Sequence, residues 1–186
     1  MHAEVTKMEV SLEEESSKTG AVKSQMQVIE IWRASAGEAA TAFALVEEYF
    51  EAIGVALRED QDKFVNEYFG EGRGLWLARI AGELAGCVGL RRLQLPDGFP
   101  EGPACSEIKR MYVRDKFREQ GIAQKLLTAA ERFARETGYA WIYLDTTNEM
   151  VAAARLYERN GYEACARYNE NPQATIFMRK ELPGAT

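Results

Sequence analysis

The segment 118–123, Arg-Glu-Gln-Gly-Ile-Ala, begins a stretch of helical periodicity and contains residue types suited to binding an anion. The first backbone N–H groups of a helix have no intrahelical partners and carry a partial positive charge. Gly121 lets a ligand approach this backbone, Ala123 keeps the next turn small, and Arg118 supplies a fork of donors. The segment therefore has the features of a pyrophosphate cradle, although a glycine at a helix start among solvated charges is also common.

The charge around this segment differs from that of the whole chain. The chain has 23 Lys and Arg against 29 Asp and Glu, a net charge of −6. Between residues 107 and 125 there are six basic and three acidic residues, namely Lys109, Arg110, Arg114, Lys116, Arg118 and Lys125 against Glu107, Asp115 and Glu119. A small basic pocket in an acidic chain fits one small anion, whereas a general nucleic-acid binder normally carries a positive surface. We therefore expect no nucleic-acid partner.

Proton transfer in this chain cannot depend on histidine, because the single histidine is His2, far from any segment with a packing pattern. Ser-His-Asp and Cys-His nucleophiles and HExxH zinc sites all need an imidazole, so we expect none of them and no metal. The cysteines Cys87, Cys105 and Cys165 are widely spaced and odd in number, which indicates reduced, buried thiols. Carboxylates, tyrosine, cysteine, lysine and water remain as acids and bases.

The hydropathy and the N-terminal segment of the chain predict its cellular location. No apolar run reaches the roughly 18 residues that a membrane span needs, and residues 1–25 lack the apolar core of a signal peptide. We expect a cytoplasmic protein without a membrane partner, either a monomer or a homodimer.

Residues 1–26 are acidic, serine-rich and without aromatic residues, which predicts a mobile tail, or alternatively a short helix at 6–16 that docks on a neighbour. Residues 27–182 are predicted to form one domain.

The cradle segment must be held by the elements on either side of it. Apolar spacings of three and four predict helices at 39–57, 60–69, 121–137 and 149–159. Alternation and short apolar runs predict strands at 27–34, 75–80, 84–93, 105–113, 139–146, 162–168 and 174–180. We expect a mixed α/β sheet with helices on both faces.

Three signatures occur in order along the chain: E-I-K-R-M-Y-V at 107–113, R-x-x-G-x-A at 118–123, and Asn148 followed by A-x-x-x-Y-E-x-x-G-Y at 153–162. With the strands and helices between them, they resemble the GNAT superfamily of N-acetyltransferases, which use acetyl-CoA. The resemblance covers about residues 26–182. It implies a mixed, mostly antiparallel central sheet of about seven strands that splays between the fourth and the fifth, with about four flanking helices. The co-substrate would enter the gap between the splayed strands.

The resemblance also assigns binding roles to residues at the motif positions. Arg118 and the backbone of 119–123 would hold the CoA pyrophosphate, and the strand edge at Met111 and Val113 would pair with the pantetheine arm. Asn148 would contact the pantetheine or thiol end. The full set implied to bind acetyl-CoA is Met111, Tyr112, Val113, Arg118, Glu119, Gln120, Gly121, Ile122, Ala123, Asn148 and Tyr157.

Tyr157 and Glu107 are the predicted catalytic residues. Tyr157 matches the family's tyrosine beside the sulfur and would protonate the departing thiolate, which the usual pKa values of about 10 for tyrosine and about 8.5 for a thiol allow. Glu107 is the candidate base, directly or through a water, and the N–H of Met111 is the candidate group that polarises the thioester oxygen. Other interpretations remain open: Tyr157 as a core aromatic, Glu107 in a surface ion pair with Lys109, and Asn148 as a helix cap.

These features predict an N-acetyltransferase that moves the acetyl group of acetyl-CoA directly to a primary amine of a small molecule, peptide or protein. The alternatives are a non-catalytic acyl-CoA-binding regulator and an interaction module that recruits a partner through the acidic tail. The resemblance implies that the acceptor is selected at 39–69 and 95–103, where acidic residues would form a rim that favours a cationic amine, or only a solvated helix face. These residues are Glu47, Glu48, Glu51, Glu59, Asp60, Asp62, Glu67, Asp97 and Glu101.

Overall fold

From residue 28 onward, helices and strands follow one another in the order that the hydrophobic periodicity predicts. The computed structural model of the chain describes residues 6–8, 28–56, 60–97 and 104–183. Its strands are β1 (Thr6–Met8), β2 (Ile29–Arg33), β3 (Gly74–Ile80), β4 (Glu83–Leu93), β5 (Cys105–Val113), β6 (Trp141–Thr146), β7 (Glu163–Ala164) and β8 (Ile176–Glu181). Its helices are α1 (Ala39–Ala52), α2 (Gln61–Tyr68), α3 (Ile122–Glu136) and α4 (Val151–Arg159).

The eight described strands belong to one sheet, in the order β1-β2-β3-β4-β5-β6-β8-β7. Neighbouring strands are antiparallel except β5 and β6, which run parallel. A parallel pair needs a crossover connection, and α3 provides it. The mixed, mostly antiparallel sheet is therefore confirmed. The fourth and fifth predicted strands are β5 and β6, because β1 precedes the strands that the sequence predicts.

The strand β1 lies in the segment for which the sequence predicts a mobile tail or a helix at 6–16. It pairs antiparallel with β2, from Thr6 opposite Ile31 to Met8 opposite Ile29. These three residues are extended along a strand edge that would otherwise have unpaired backbone groups, so a helix that starts at Thr6 is wrong. The rest of 1–27 lies outside the described residues, and the division into tail and domain stays a prediction.

Helix α1 ends at Ala52 and not at 57, because Gly54 follows it in a left-handed conformation with φ of 66°. The N–H of Val55 donates to the carbonyl of Phe50, and the N–H of Gly54 donates to that of Glu51, both at 3.0 Å. These are the two bonds of a Schellman motif, which ends a helix at its glycine. The chain consequently turns early and reaches the end of the cavity described below.

The strand β7 has two residues, whereas the sequence predicts a strand over 162–168. The guanidinium of Arg167 donates to the carbonyls of Asn171 and Ala174, each at 3.1 Å, and lies over the ring of Phe177 at 4.6 Å. These contacts hold the chain before β8 as a loop. The predicted long hairpin is therefore replaced by a short one with a wide, ordered connection.

Side chains alternate along β3, so each face of the sheet carries its own core. The helices α1 and α2 cover Leu75 and Leu77, whereas α3 and α4 cover the face with Trp76 and Ala78. Helices on both faces are therefore confirmed. Among the described residues, no helix has the length and apolar character needed to cross a membrane.

The strands β5 and β6 pair over only part of their length. Their register runs from Cys105 opposite Trp141 to Ile108 opposite Leu144. Beyond Ile108, β5 continues to Val113 and within the described sheet it pairs there only with β4. The predicted splay between these two strands is confirmed, and it opens a gap along one edge of β5.

A β-bulge interrupts the same half of β5. Arg110 and Met111 lie opposite Val88 alone, and Arg110 has a left-handed φ of 56°. The buried thiol of Cys87 donates to the Arg110 carbonyl, with 3.3 Å between Sγ and O. Burial raises the pKa of this thiol to about 12, so it stays protonated and able to donate. All three cysteines of the chain are free thiols, as the sequence predicts, but only Cys87 and Cys105 are buried, whereas Cys165 is half-buried.

Candidate active site

A cavity of about 520 Å³ opens where β5 and β6 separate. Its walls come from the bulged half of β5, the end of β6, α4, the loop before β8, α2, and the end of α1 with the chain that follows it. Tyr49, Met111, Asp145 and Tyr157 are among its lining residues. Its volume falls in the range of small-ligand sites, roughly 300–1000 Å³.

Five charged side chains form a continuous series at this cavity, which we call the charge row: Glu67, Arg91, Glu107, Lys109 and Asp145. Arg91 bridges Glu67 and Glu107, with its Nε 2.8 Å from Glu107 Oε2. Lys109 bridges Glu107 and Asp145, with its Nζ 3.0 Å from Glu107 Oε1 and 2.9 Å from Asp145 Oδ1. Four members line the cavity, and Glu107 lies fully buried behind them. Within the described ranges, no three His, Cys, Asp or Glu residues are grouped so as to hold a metal ion.

The carboxylate of Glu107, the predicted base, is surrounded by donors. The Tyr168 hydroxyl donates to Oε1 at 2.8 Å and the Asn169 amide at 3.3 Å, in addition to the two cations of the charge row. Burial and the Glu107 charge raise the pKa of Tyr168, so this hydroxyl stays protonated. The alternative ion pair with Lys109 is present, but its location at the surface is wrong, because the Glu107 side chain is wholly buried. Its role as a base stays a prediction.

Asp145, at the end of β6, is a site carboxylate that the sequence reasoning missed. It accepts hydrogen bonds from Lys109, from Asn169 at 2.7 Å and from Asn171 at 3.2 Å. Burial alone would raise the pKa of Asp145, but Lys109 and the two amides outweigh burial, so the pKa lies below its ordinary value. Asp145 is therefore ionised at neutral pH. The available signal was its place directly after the buried run 142–144, because ligands often bind at the carboxyl ends of parallel strands.

Tyr157 lies on α4, where it is buried in the core and also lines the cavity. Its ring meets the ring of Tyr162 edge to face, with 5.6 Å between centroids. Burial raises the pKa of Tyr157 above its ordinary value, and the charges of Tyr49 and Asp145 add to this effect. The hydroxyl is therefore a persistent donor. The reading as a core aromatic and the reading as a site residue both fit this position.

The three β5 residues predicted to meet the pantetheine arm lie in the half of the strand that does not pair with β6. Met111 lines the cavity. The Tyr112 hydroxyl instead donates to Glu48 of α1 at 3.0 Å, and Val113 packs against the core under α3. Of these three residues, Met111 alone has a side chain in the cavity lining, while the backbone of all three borders the gap.

The predicted cradle begins α3. Gly121 precedes the helix with a left-handed φ of 75°, Glu119 has a φ of 63°, and Ile122 is the first helical residue. The first turn has no side-chain cap and no acidic residue, and a Cβ on Gly121 would meet no atom within 4 Å. Arg118 contacts Asp115 at 2.7 Å and the Val113 carbonyl at 3.2 Å. Left-handed residues beside open N–H groups are typical of backbone anion sites.

The basic pocket predicted from the local charge count is wrong, because acids from elsewhere neutralise it. Arg114 binds Glu48 of α1 through several contacts, including 2.7 Å from Nη2 to Oε2, and Lys116 binds Glu83 of β4. Both acids lie outside the segment 107–125 in which the charges were counted. Lys109 is likewise held by the charge row. Anion binding at the cradle would therefore rest on the backbone and on Arg118.

Asn148 lies exposed in the loop between β6 and α4 and does not belong to the cavity lining. Its backbone N–H donates to Thr175 Oγ1 at 2.9 Å. The residue before the first helical residue of α4 is Met150, so the interpretation of Asn148 as the helix cap is wrong. Its predicted contact with the co-substrate stays a prediction.

The predicted acidic rim contributes one residue to the cavity. Of the nine acids named for it, Glu67 alone lines the cavity in the described part of the chain, and Glu48 is bound to Arg114. Asp60 caps α2 by accepting from the N–H of Lys63 at 2.9 Å. Residues 59 and 101 lie outside the described residues. A carboxylate on a helix surface can bind any of several partners. The spacing of acidic residues along a predicted helix does not show which partner each of them binds.

The order of these features along the chain matches one protein family. A model of the acetyltransferase (GNAT) family matches residues 39–162, which include the bulged β5, the cradle and Tyr157. The chain belongs to the GNAT acetyltransferase family. The fold that the sequence resemblance implies is thereby confirmed, including the splay between the fourth and fifth predicted strands.

Relatives and solved structures agree with this assignment. The chain is similar to an uncharacterised N-acetyltransferase of Schizosaccharomyces pombe, with 32% identity over 145 residues that span 74% of this chain and 85% of that protein. N-acetyltransferase 8B of Rattus norvegicus is 27% identical over 62% of this chain, which spans only 51% of that protein. The fold is similar to that of yncA from Salmonella typhimurium, solved with its cofactor acetyl-CoA, with a TM-score of 0.64 and 20% identity over 84% of this chain and 95% of that one.

Proposed function

We propose that this chain is an N-acetyltransferase that moves the acetyl group of acetyl-CoA directly to a primary amine. The observation that carries the proposal is the gap between β5 and β6, which opens onto a cavity lined by Tyr157. The solved structure of yncA, which shares the fold, contains acetyl-CoA, and this supports acetyl-CoA as the co-substrate. The names of the relatives support transfer to nitrogen.

The backbone of 119–123 and the side chain of Arg118 would hold the CoA diphosphate. The open space in front of Gly121 supports this assignment, because a ligand can approach the first N–H groups of α3 without a clash. Arg118 is more than half exposed, so exchanging Asp115 for a phosphate costs little. The free edge of β5 at 111–113 would pair with the pantetheine arm as an added strand, and Asn148 would contact the arm from the β6 side.

Tyr157 would donate its proton, or a hydrogen bond, to the sulfur that departs. Its raised pKa keeps the hydroxyl protonated at neutral pH, which supports a hydrogen bond to the departing thiolate more than full transfer of the proton. The N–H of Met111, on the bulged edge, would stabilise the charge that develops on the thioester oxygen. The Cys87 bond to the bulge carbonyl supports a fixed backbone at that position.

We propose that Glu107, which the sequence predicts as the base, acts instead as a positioning residue, and that Asp145 binds the incoming ammonium. The oxygens of Glu107 accept from Arg91, Lys109 and Tyr168, so a proton from the amine would reach it only through one of these groups. Asp145 lines the cavity and is ionised, which supports its role as the counter-charge of the amine. Because the pKa of Asp145 is low, it holds the charge and the proton passes on to solvent.

The proposal is tested with the purified chain, acetyl-CoA and a panel of small amines, amino acids and peptides. Calorimetry measures acetyl-CoA binding, thiol release measures turnover, and mass spectrometry identifies the acetylated product. Binding together with an N-acetylated product is the expected result. Binding without transfer to any acceptor would favour the regulator over the enzyme, and the absence of binding would overturn the proposal.

A further inference from the structure

Two tyrosines from opposite faces of the sheet meet at the cavity. Tyr49 of α1 packs against the core on one face, Tyr157 of α4 belongs to the core on the other, and both line the cavity together with Asp145. Burial raises the pKa of Tyr49, the Arg110 charge lowers it and the Asp145 charge raises it, so the pKa lies above its ordinary value. Burial and the charges of Tyr49 and Asp145 likewise raise the pKa of Tyr157. Charge effects weaken with distance, so the two hydroxyls and the carboxylate share one region of the cavity.

The ring of Tyr49 is fixed by its aromatic neighbours. Its centroid lies 5.2 Å from that of Phe50 and 5.7 Å from that of Tyr112. The Tyr112 hydroxyl donates to Glu48, and Arg114 holds that carboxylate in place. Packing of this kind restricts the ring to one position, so its hydroxyl lies at a defined point of the cavity wall.

The polar atoms at this point have unused capacity for hydrogen bonds. Within the described residues, the Tyr49 hydroxyl has no hydrogen-bond partner. Asp145 Oδ2 accepts from Lys109, Asn169 and Asn171, whereas in the described structure Oδ1 accepts from Lys109 alone. A carboxylate oxygen has two lone pairs and a phenol oxygen also accepts, so one acceptor position remains at Oδ1 and one at the Tyr49 hydroxyl. A nitrogen that carries two N–H groups would fill both.

We propose that Tyr49 and Asp145 together bind the nitrogen of the acceptor, each through one N–H group, and that the cavity thereby selects primary amines over secondary amines. An alkylammonium has three N–H groups, and one proton must leave before the nitrogen attacks. The other two N–H groups are held by the Tyr49 oxygen and by Oδ1, which directs the lone pair away from both. A secondary amine keeps one N–H and leaves one of these acceptors unpaired, which weakens its binding in a partly desolvated site. This role of Tyr49 rests on the proposed acetyl transfer and names the residue that selects the class of amine.

The transfer balances with acetyl-CoA and the amine alone. The ammonium gives one proton to solvent, and its nitrogen forms a bond to the acetyl carbon as the carbon–sulfur bond breaks. A second proton leaves the nitrogen through water as the amide forms, and the departing thiolate takes up one proton from water. The products are the N-acetylated amine, the CoA thiol and one proton.

The test pairs each amine of the acceptor panel that the enzyme acetylates with its N-methyl derivative, beginning with phenethylamine and N-methylphenethylamine. N-methylation changes the basicity of an alkylamine little, so protonation produces no preference between the two. At saturating acetyl-CoA, we expect kcat/KM of the wild type to be at least about tenfold higher for the primary amine.

Tyr49→Phe keeps the ring and removes the hydroxyl. It should lower kcat/KM for the primary amine about tenfold through KM, and change it little for the N-methyl amine, whose single N–H binds the charged Asp145. The ratio should therefore fall to near one, while the affinity for acetyl-CoA in calorimetry stays unchanged. Tyr162→Phe is the matched control, because it removes a tyrosine hydroxyl that does not line the cavity, and it should leave the ratio unchanged.

Equal use of the primary and the N-methyl amine by the wild type would overturn the selection, and a ratio that survives Tyr49→Phe would overturn the role of Tyr49. A loss of affinity for acetyl-CoA in Tyr49→Phe, or an equal fall of the ratio in Tyr162→Phe, would overturn that role as well. In each of these results acetyl transfer itself stands. Acetyl-CoA binding without transfer to any amine of the panel would overturn the proposed function instead.

Discussion

Replacing Tyr157 by phenylalanine removes the hydroxyl that we assign to the departing thiolate and keeps the ring. The edge contact with Tyr162 and the burial of the ring in the core remain. Burial raises the pKa of the hydroxyl, so in the wild type it is a donor throughout the usual assay range. The substitution therefore tests one proton or one hydrogen bond and little else.

The expected loss follows from the leaving group. A positioned general acid contributes about 10²- to 10⁴-fold, and a thiol with a pKa of about 8.5 leaves without great difficulty, so we expect the lower end of that range. A kcat about 10²-fold lower corresponds to about 2.7 kcal/mol in the activation free energy. The free energy of unfolding should change by less than about 1 kcal/mol, because no apolar contact is lost.

The assay is thiol release at saturating acetyl-CoA and acceptor between about pH 6 and about pH 9, with urea denaturation of the same samples. Tyr162→Phe is the matched control, because it removes a hydroxyl from the neighbouring ring, which is equally buried and does not line the cavity. A Tyr157→Phe enzyme with more than half of the wild-type kcat would refute the assignment. An equal loss in both variants would also refute it, since the effect would then come from packing.

Three further changes test the cradle, the charge row and its ionisation. Gly121→Ala should weaken acetyl-CoA binding about tenfold in calorimetry. Gly138→Ala, at another left-handed glycine with open space, should lose a similar ~1 kcal/mol of stability but bind acetyl-CoA normally. Equal affinity of the two variants for acetyl-CoA would contradict the cradle. Glu107→Gln should lower the free energy of unfolding by about 3 kcal/mol in urea, because two cations lose a buried counter-charge, and an unchanged midpoint would contradict that pairing. The folded pKa of Asp145 lies below its unfolded value, so its contribution to stability is complete above about pH 4 and is lost as the pH falls through the folded pKa. In thermal melts, the melting temperature of Asp145→Asn should therefore fall less steeply at acid pH than that of the wild type. An equally steep fall in both proteins would disprove the linkage.

The elements were predictable where the signal is local. Helix α3 was predicted at 121–137 and runs from Ile122 to Glu136, because an apolar stripe lies between two glycines that adopt left-handed conformations. The resemblance carried by the three signatures then implied the mixed sheet and its splay, whereas the parallel direction of β5 and β6 is known from the structure. Helix α1 was predicted too long because its spacing continues in register past Gly54, and only the bonds of the Schellman motif reveal that the chain has turned.

The charge of the site was the property that neighbouring residues in the sequence predicted least well. Arg114 and Lys116 stand beside the cradle in sequence, and they were counted as part of a basic pocket. Their partners, Glu48 and Glu83, come from α1 and β4, so the neutralisation depends on tertiary structure alone. A charge count along the chain cannot include acids that the fold brings to it.

The charge row could not be predicted for a related reason. Antiparallel pairing of β4 and β5 sets Arg91 opposite Glu107. Lys109 and Asp145 directly follow the last residues at which β5 and β6 pair with each other. These contacts depend on the register of β4 with β5 and of β5 with β6. The sequence does not indicate that register until it is known which strands pair. The loss of pairing beyond Ile108 then turns an ion pair between strands into part of a cavity wall.

We propose that acetyl moves from acetyl-CoA to an amine bound in the cavity between β5 and β6. The most direct measurement follows acetyl-CoA labelled in its acetyl group, mixed with the chain and an amine acceptor, by mass spectrometry. We predict that label appears on the acceptor nitrogen in an amount equal to the free CoA thiol, and that Tyr157→Phe slows both equally. Label that stays on CoA in the presence of the enzyme and every acceptor of the panel, or thiol released without an acetylated amine, would contradict the proposed acetyl transfer.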